Sequence, residues 1–222
     1  MPDRDNISRV FTSRRETRDF YNKISDFYDA LADHSEAPVR AAAVDMLAAA
    51  PGERILEIGS GTGHSLAAIG RAVGPQGRVL AIDLSERMLN RARAQADAAG
   101  LMDLARFLCG DGLRLPMRSR SVDAVFMTFT LELFDTPEIP GVLEECKRVL
   151  RPGGRIVVAA MSKEGPGGLM LELYEWSHRH FPNFVDCRPI FPSRSVESAG
   201  FHLVRKTVME IWVPVEIVLA RI

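Results

Sequence analysis

From Arg54 onward, short apolar runs alternate with stretches of helical periodicity, and this alternation leaves few folds open to the chain. Arg54 to Ile58 reads as a strand, Ser65 to Val73 as a helix, Arg78 to Ile82 as a strand, Glu86 to Ala99 as a helix and Ala105 to Leu108 as a strand. A fourth strand, Ser121 to Thr128, is followed by a helix over Ile139 to Leu150. The turn Arg151-Pro152-Gly153-Gly154 then leads into a fifth strand, Arg155 to Ala160. Ser193 to Ala199 is a short helix. The β-rich runs Phe201 to Val208 and Ile211 to Ala220 are joined tightly enough to close the chain as an antiparallel hairpin. The expected class is α/β: a seven-stranded, mostly parallel sheet with helices on both faces.

The segment before this pattern reads differently. Ile7, Val10, Phe11, Phe20, Ile24, Phe27 and Leu31 recur largely at helical spacing, interrupted by the polar stretch Ser13 to Arg18. Pro38 begins an alanine-rich helix, Val39 to Ala50, which Pro51-Gly52 ends. Residues 1–50 are therefore expected to form a helical extension and 51–222 the main domain. Gly165 to Gly168 open a helical-looking run, Leu169 to Phe181, expected to lie within a lid insertion over 162–192. A length of 222 residues suits one substantial core.

The most informative local feature is Ile55-Leu56-Glu57-Ile58-Gly59-Ser60-Gly61-Thr62-Gly63, with three glycines between a strand and a helix, where a backbone can approach a ligand closely. A dinucleotide loop carries glycine at the first, third and sixth positions. Here the sixth is His64, and the glycines stand first, third and fifth. Glu57, a carboxylate just before the loop, suits a cationic ligand and repels a pyrophosphate. Both points weigh against a nicotinamide-dependent oxidoreductase.

Glu57-x-Gly59-x-Gly61-x-Gly63 resembles the first motif of class I S-adenosylmethionine-dependent methyltransferases, and the resemblance continues along the chain. Asp83, 20 residues beyond Gly63, matches the acidic residue that takes both ribose hydroxyls in that family, with Leu84 and Met88 following it. Gly110-Asp111-Gly112 resembles the adenine motif, and Met127-Thr128-Phe129 the motif lining the methionine half of the cofactor. Three further stretches resemble the ubiquinone and menaquinone biosynthesis C-methyltransferase branch: Phe20 to Asp29, Leu143 to Gly154, and Val196 to Phe201. Thr130-Leu131-Glu132-Leu133-Phe134 departs from that branch. The resemblance implies a Rossmann-like fold, S-adenosylmethionine as cofactor, and methyl transfer to a small molecule, either quinone-like or another aromatic or apolar metabolite. A noncatalytic S-adenosylmethionine-binding protein on the same fold is the alternative.

The implied cofactor set is Tyr21, Tyr28, Glu57, Gly59, Ser60, Gly61, Thr62, Gly63, Asp83, Leu84, Met88, Asp111, Gly112, Thr128 and Phe129. His178 and His180 are the candidate catalytic bases, because a proton has to leave many acceptors. Tyr174, Trp176 and Arg188 are candidate acceptor contacts, with an ion pair to Asp186 as the plainer role for Arg188. Three widely spaced cysteines suit reduced thiols and give no metal site. A formal net charge of −1 without a basic run argues against nucleic acid. The polar start and the lack of a long apolar run lead to the expectation of a cytoplasmic protein with no membrane partner. A homodimer is compatible with this reading.

Overall fold

The computed structural model of the chain describes residues 7, 9–10, 12–25, 28–164 and 187–222, and of 28–34 the backbone only. Helices α1 (Arg14–Ile24) and α2 (Tyr28–Leu47) precede β1 (Arg54–Ile58), α3 (Leu66–Val73), β2 (Arg78–Asp83), α4 (Glu86–Ala98), β3 (Ala105–Cys109) and β4 (Val122–Thr128). A single 3-10 turn over Leu131–Leu133 leads to α5 (Ile139–Val149), β5 (Leu150–Met161), α6 (Pro192–Ser198), β6 (His202–Glu210) and β7 (Pro214–Arg221).

The seven strands lie in the order β3-β2-β1-β4-β5-β7-β6. The first five are mutually parallel, β7 is antiparallel to β5, and β6 closes the edge as the expected hairpin partner of β7. Strand β1 is buried on both faces. Ile55 joins one apolar cluster with Val39, Leu47, Ile69 and Phe126, while Leu56 joins the other with Val125, Val142, Cys146 and Val158. The strand order reverses between β1 and β4, so the connections leaving their carboxyl ends part in opposite directions and open a crevice there.

Two N-terminal expectations change. The polar stretch Ser13 to Arg18 begins α1 instead of breaking it: the Ser13 hydroxyl accepts from the Glu16 amide at 3.3 Å and Glu16 accepts from the Ser13 amide at 2.7 Å, forming a capping box. Pro38 does not start a helix either. It lies inside α2, on an exposed position, while Val39, Ala43 and Leu47 at four-residue spacing are fully buried against the sheet. Packing of that stripe outweighs the local penalty of the proline. The insertion expected over 162–192 falls largely outside the described residues.

Candidate functional site

Strand β1 runs directly into the glycine loop, and two constraints explain why the first glycine follows it. Gly59 has φ +70°, and a Cβ built there would lie 2.2 Å from Thr130 Oγ1. The loop therefore passes against the chain leaving β4, closer than any side chain permits. Gly63 serves packing instead: with φ +92°, a Cβ there would come within 2.9 Å of the Ala92 backbone on α4.

Asp83, at the end of β2, braces the loop. Its Oδ2 accepts from the Gly61 amide and its Oδ1 from the Ser85 amide, each at 2.8 Å. Burial raises its pKa, opposed by these backbone hydrogen bonds. Each oxygen keeps a lone pair for a ligand hydroxyl. Leu84, Met88, Gly112, Thr128 and Phe129 line the same cleft with Gly59, Gly61, Asp83 and Asp111, and Phe134 closes one wall.

Glu57 lies 2% exposed beneath the loop, and among the described residues its Oε2 has no hydrogen-bond partner. Burial pushes its carboxyl up to about 8, opposed by Ser65 and Arg40. Glu36, Arg40, Ser60, Thr62, His64 and Ser65 surround it in a hollow that adjoins the cleft at Gly59, Gly61 and Thr128. The loop thus separates an apolar-walled compartment from one holding charges of both signs. This pairing fits S-adenosylmethionine, whose nucleoside would take the first and whose amino-acid end the second. The unpartnered Glu57 oxygen is where an ammonium satisfies both charge and hydrogen bonding.

Helix α1 lies against the cleft. Arg14 and Thr17 line it together with Tyr21. The Arg14 Nε pairs with Asp111 Oδ2 at 3.1 Å, its Nη2 pairs with Glu138 at 2.6 Å, and its guanidinium lies 4.6 Å over the Phe134 ring. Asp111, expected to meet adenine, gives its other oxygen to the Leu113 amide at 3.0 Å, so an incoming amine shares this carboxylate with Arg14. Farther along α1, Asn22 Oδ1 accepts from the Ser85 hydroxyl at 2.7 Å. Arg9 reaches Asp135 at 2.6 Å, and its hydrogen bonds hold that carboxyl at about 2.

Arg188, expected as an acceptor contact, is fully buried among the described residues. Its Nη2 donates to the Phe134 carbonyl and its Nη1 to Thr136 Oγ1, and burial lowers its pKa to about 10. It therefore fixes the turn that carries Phe134 into the cleft. Tyr174, Trp176, His178 and His180, together with Asp186 and the Tyr28 side chain, lie outside the described residues.

Sequence reasoning missed Arg14, Glu36, Arg40, His64 and Glu132. Arg14 had a readable cue, since Ser13-x-x-Glu16 is a capping-box signature that starts a helix one residue before it. Glu132 had none. It is fully buried beside the ends of β4 and β5, where Oε1 accepts from the Met161 amide at 3.1 Å and Oε2 has no partner among the described residues; burial pushes it up to about 8.

Comparison with known proteins agrees with this geometry. The family described as Methyltransferase domain matches residues 55–154, from β1 to the turn inside β5. Ubiquinone/menaquinone biosynthesis C-methyltransferase UbiE of Cereibacter sphaeroides is 32% identical over 148 residues, covering 64% of this chain and 58% of that protein. Residues 55–154 thus match a methyltransferase domain, and over that region the chain is similar to the class I S-adenosylmethionine-dependent methyltransferases. Among them, the similarity falls on the branch of the quinone C-methyltransferases. The aligned region spans somewhat under two thirds of the length of these relatives. Among solved structures, a SAM-dependent methyltransferase from Aquifex aeolicus superposes with a TM-score of 0.63 at 26% identity, over 95% of this chain and 99% of that one. The [4+2]-cyclase SpnF superposes at 0.77 with 17% identity, over 98% of each chain, a likeness of fold alone. Among the described residues, no helix is long and apolar enough to cross a membrane.

Proposed function

We propose that this protein transfers a methyl group from S-adenosylmethionine to a small aromatic or apolar acceptor of quinol type. The observation that carries the reading is the Glu57 carboxyl, buried with one oxygen unpartnered beneath a glycine loop at the β1/β4 crevice. When bound, the cofactor supplies a methyl group already activated on a sulfonium.

The residues would then act by binding and orientation. Glu57 would take the ammonium, and Arg40 in the same hollow would face the carboxylate. Asp83 would accept both ribose hydroxyls while still holding the Gly61 amide. Asp111 would accept the adenine amine, and Arg14 with Tyr21 would cover the cleft. Phe129, Leu133 and Phe134 give it an apolar wall that excludes water from the transfer. The acceptor proton is assigned to His178 or His180, with Tyr174 and Trp176 as acceptor contacts. The quinol assignment draws on the names of the relatives and on that apolar wall.

The deciding experiment incubates the purified protein with S-adenosylmethionine and a panel of reduced naphthoquinones, benzoquinols, phenols and amines, following formation of S-adenosylhomocysteine. Turnover with a quinol or phenol is the expected result. Tight cofactor binding without turnover on any acceptor would refute the assignment of activity.

A further inference from the structure

The opposite end of the strands carries a second cluster of charge. Arg54, the first residue of β1, lies in register with Arg78, the first residue of β2. Leu80, two residues along, lies in register with Arg106 on β3. Because side chains alternate along a strand, Arg54, Arg78, Leu80 and Arg106 share one face of the sheet. The connection into β4 brings Met117, Arg118, Ser121 and Val122 beside them, bounding an open surface cavity of about 350 Å³. Four arginines line it, and among the described residues no carboxylate does.

Among the described residues, none of these four guanidiniums is paired with a carboxylate. Arg78 donates to the carbonyls of Pro75 and Gly77, and Arg106 to those of Met102, Asp103 and Ala105, which anchors both side chains without cancelling charge. The hydrogen bonds of Arg54 and Arg118 run through their backbones, from the Arg54 amide to Asp123 and from the Ser121 hydroxyl to the Arg118 carbonyl. Among the described residues both guanidiniums lack a partner. Asp123, beside Arg54, is already paired with Arg151 at 2.7 Å. Like charges in register on neighbouring strands repel, so an arrangement of this kind is relieved by an anion.

We propose that this cavity binds a small molecule carrying a polyphosphate chain. Guanidinium forks match pairs of phosphate oxygens, and four cations around one cavity match the charge of a triphosphate better than that of a single phosphate. Leu80, Met117 and Val122 supply an apolar wall for whatever the chain is attached to. The site lies at the amino ends of the strands and the cofactor cleft at their carboxyl ends, about 17 Å away along a five- or six-residue strand. The two ligands therefore do not compete.

The test is calorimetric titration of the full chain with inorganic triphosphate and, separately, with ATP, in the presence of saturating S-adenosylhomocysteine. One equivalent of triphosphate should bind, and binding should weaken at least about tenfold in the variant Arg54→Gln/Arg118→Gln. That variant removes two exposed side chains without partners, so its S-adenosylhomocysteine affinity and melting temperature should match the parent. Arg205→Gln, on the distant β6 edge, should leave triphosphate binding unchanged. Equal affinity for triphosphate and ATP would assign recognition to the chain alone, and tighter ATP binding would assign a role to the apolar wall. Absence of heat with both ligands at millimolar concentration, or binding retained by the double variant, would overturn the proposal.

Discussion

Replacing Glu57 with Gln probes the central feature of the cleft, and the structure gives its consequences in numbers. Burial holds the carboxyl at about 8, against 4.5 for the unperturbed group, so at pH 7 it is about 0.9 protonated. Binding an ammonium requires the charged form. The ammonium of the free S-adenosylhomocysteine is already charged at pH 7, so complex formation releases about 0.9 proton there. Affinity for S-adenosylhomocysteine should consequently rise about ninefold from pH 6 to 7, gain a further roughly five- to sixfold to pH 8, and begin to level off above it. The Glu57→Gln variant has no charge to form at this position. It should bind about 10- to 150-fold more weakly at pH 8, from loss of a charged hydrogen bond of about 1.5–3 kcal/mol, and should release almost no proton below pH 7. The gap between parent and variant should narrow as pH falls. The assay is calorimetry in buffers of different ionisation enthalpy, which counts protons directly. A parent affinity flat between pH 6 and 8, with no proton release, would refute the assignment of Glu57 to the ammonium.

Four further outcomes follow from named contacts. Without ligand, Glu57 and Glu132 both carry raised carboxyl pKa values of about 8; the stability associated with their protonated forms is complete below about pH 4.5 and is gone once pH has risen through 8, so denaturant midpoints should fall between about pH 5 and 8 and level off above, with a shallower fall in a Glu57→Gln/Glu132→Gln variant. Gly59→Ala should lower stability by about 2–4 kcal/mol and abolish cofactor binding, since it combines a left-handed φ with a Cβ 2.2 Å from Thr130 Oγ1; Thr130→Ala in the same chain should recover part of the stability in thermal melts. Asp83→Ala leaves the Gly61 and Ser85 amides without their acceptor and should weaken S-adenosylhomocysteine binding by about 1–3 kcal/mol, with unchanged affinity excluding the ribose assignment. Arg188→Leu strands the Phe134 carbonyl in the interior and should cost about 1–3 kcal/mol of stability in urea unfolding.

Much of the architecture was readable because the βα alternation is local. Strands β1 to β4 begin and end within a residue of the expected positions, since their apolar runs are bounded by glycine, proline and charged residues. Boundaries moved where tertiary packing competed with a local signal. Pro38 reads as a helix start, yet the stripe Val39, Ala43 and Leu47 carries α2 through it. The turn expected at Arg151 to Gly154 was absorbed into β5, where pairing resumes at Arg155 alongside Ala124.

The glycine loop, the carboxylates Glu57, Asp83 and Asp111 and their attachment to strand ends are legible in the chain, because each lies within a few residues of a strong local pattern. Tertiary structure alone decided what faces them. Arg14 meets Glu138 across 124 positions, and no periodicity encodes a contact between residues so far apart. The same holds for Arg40 beside Glu57, for the burial of Glu132 and for the four arginines at the far end of the strands. Strand order, not the neighbourhood of any one residue, brings those groups together.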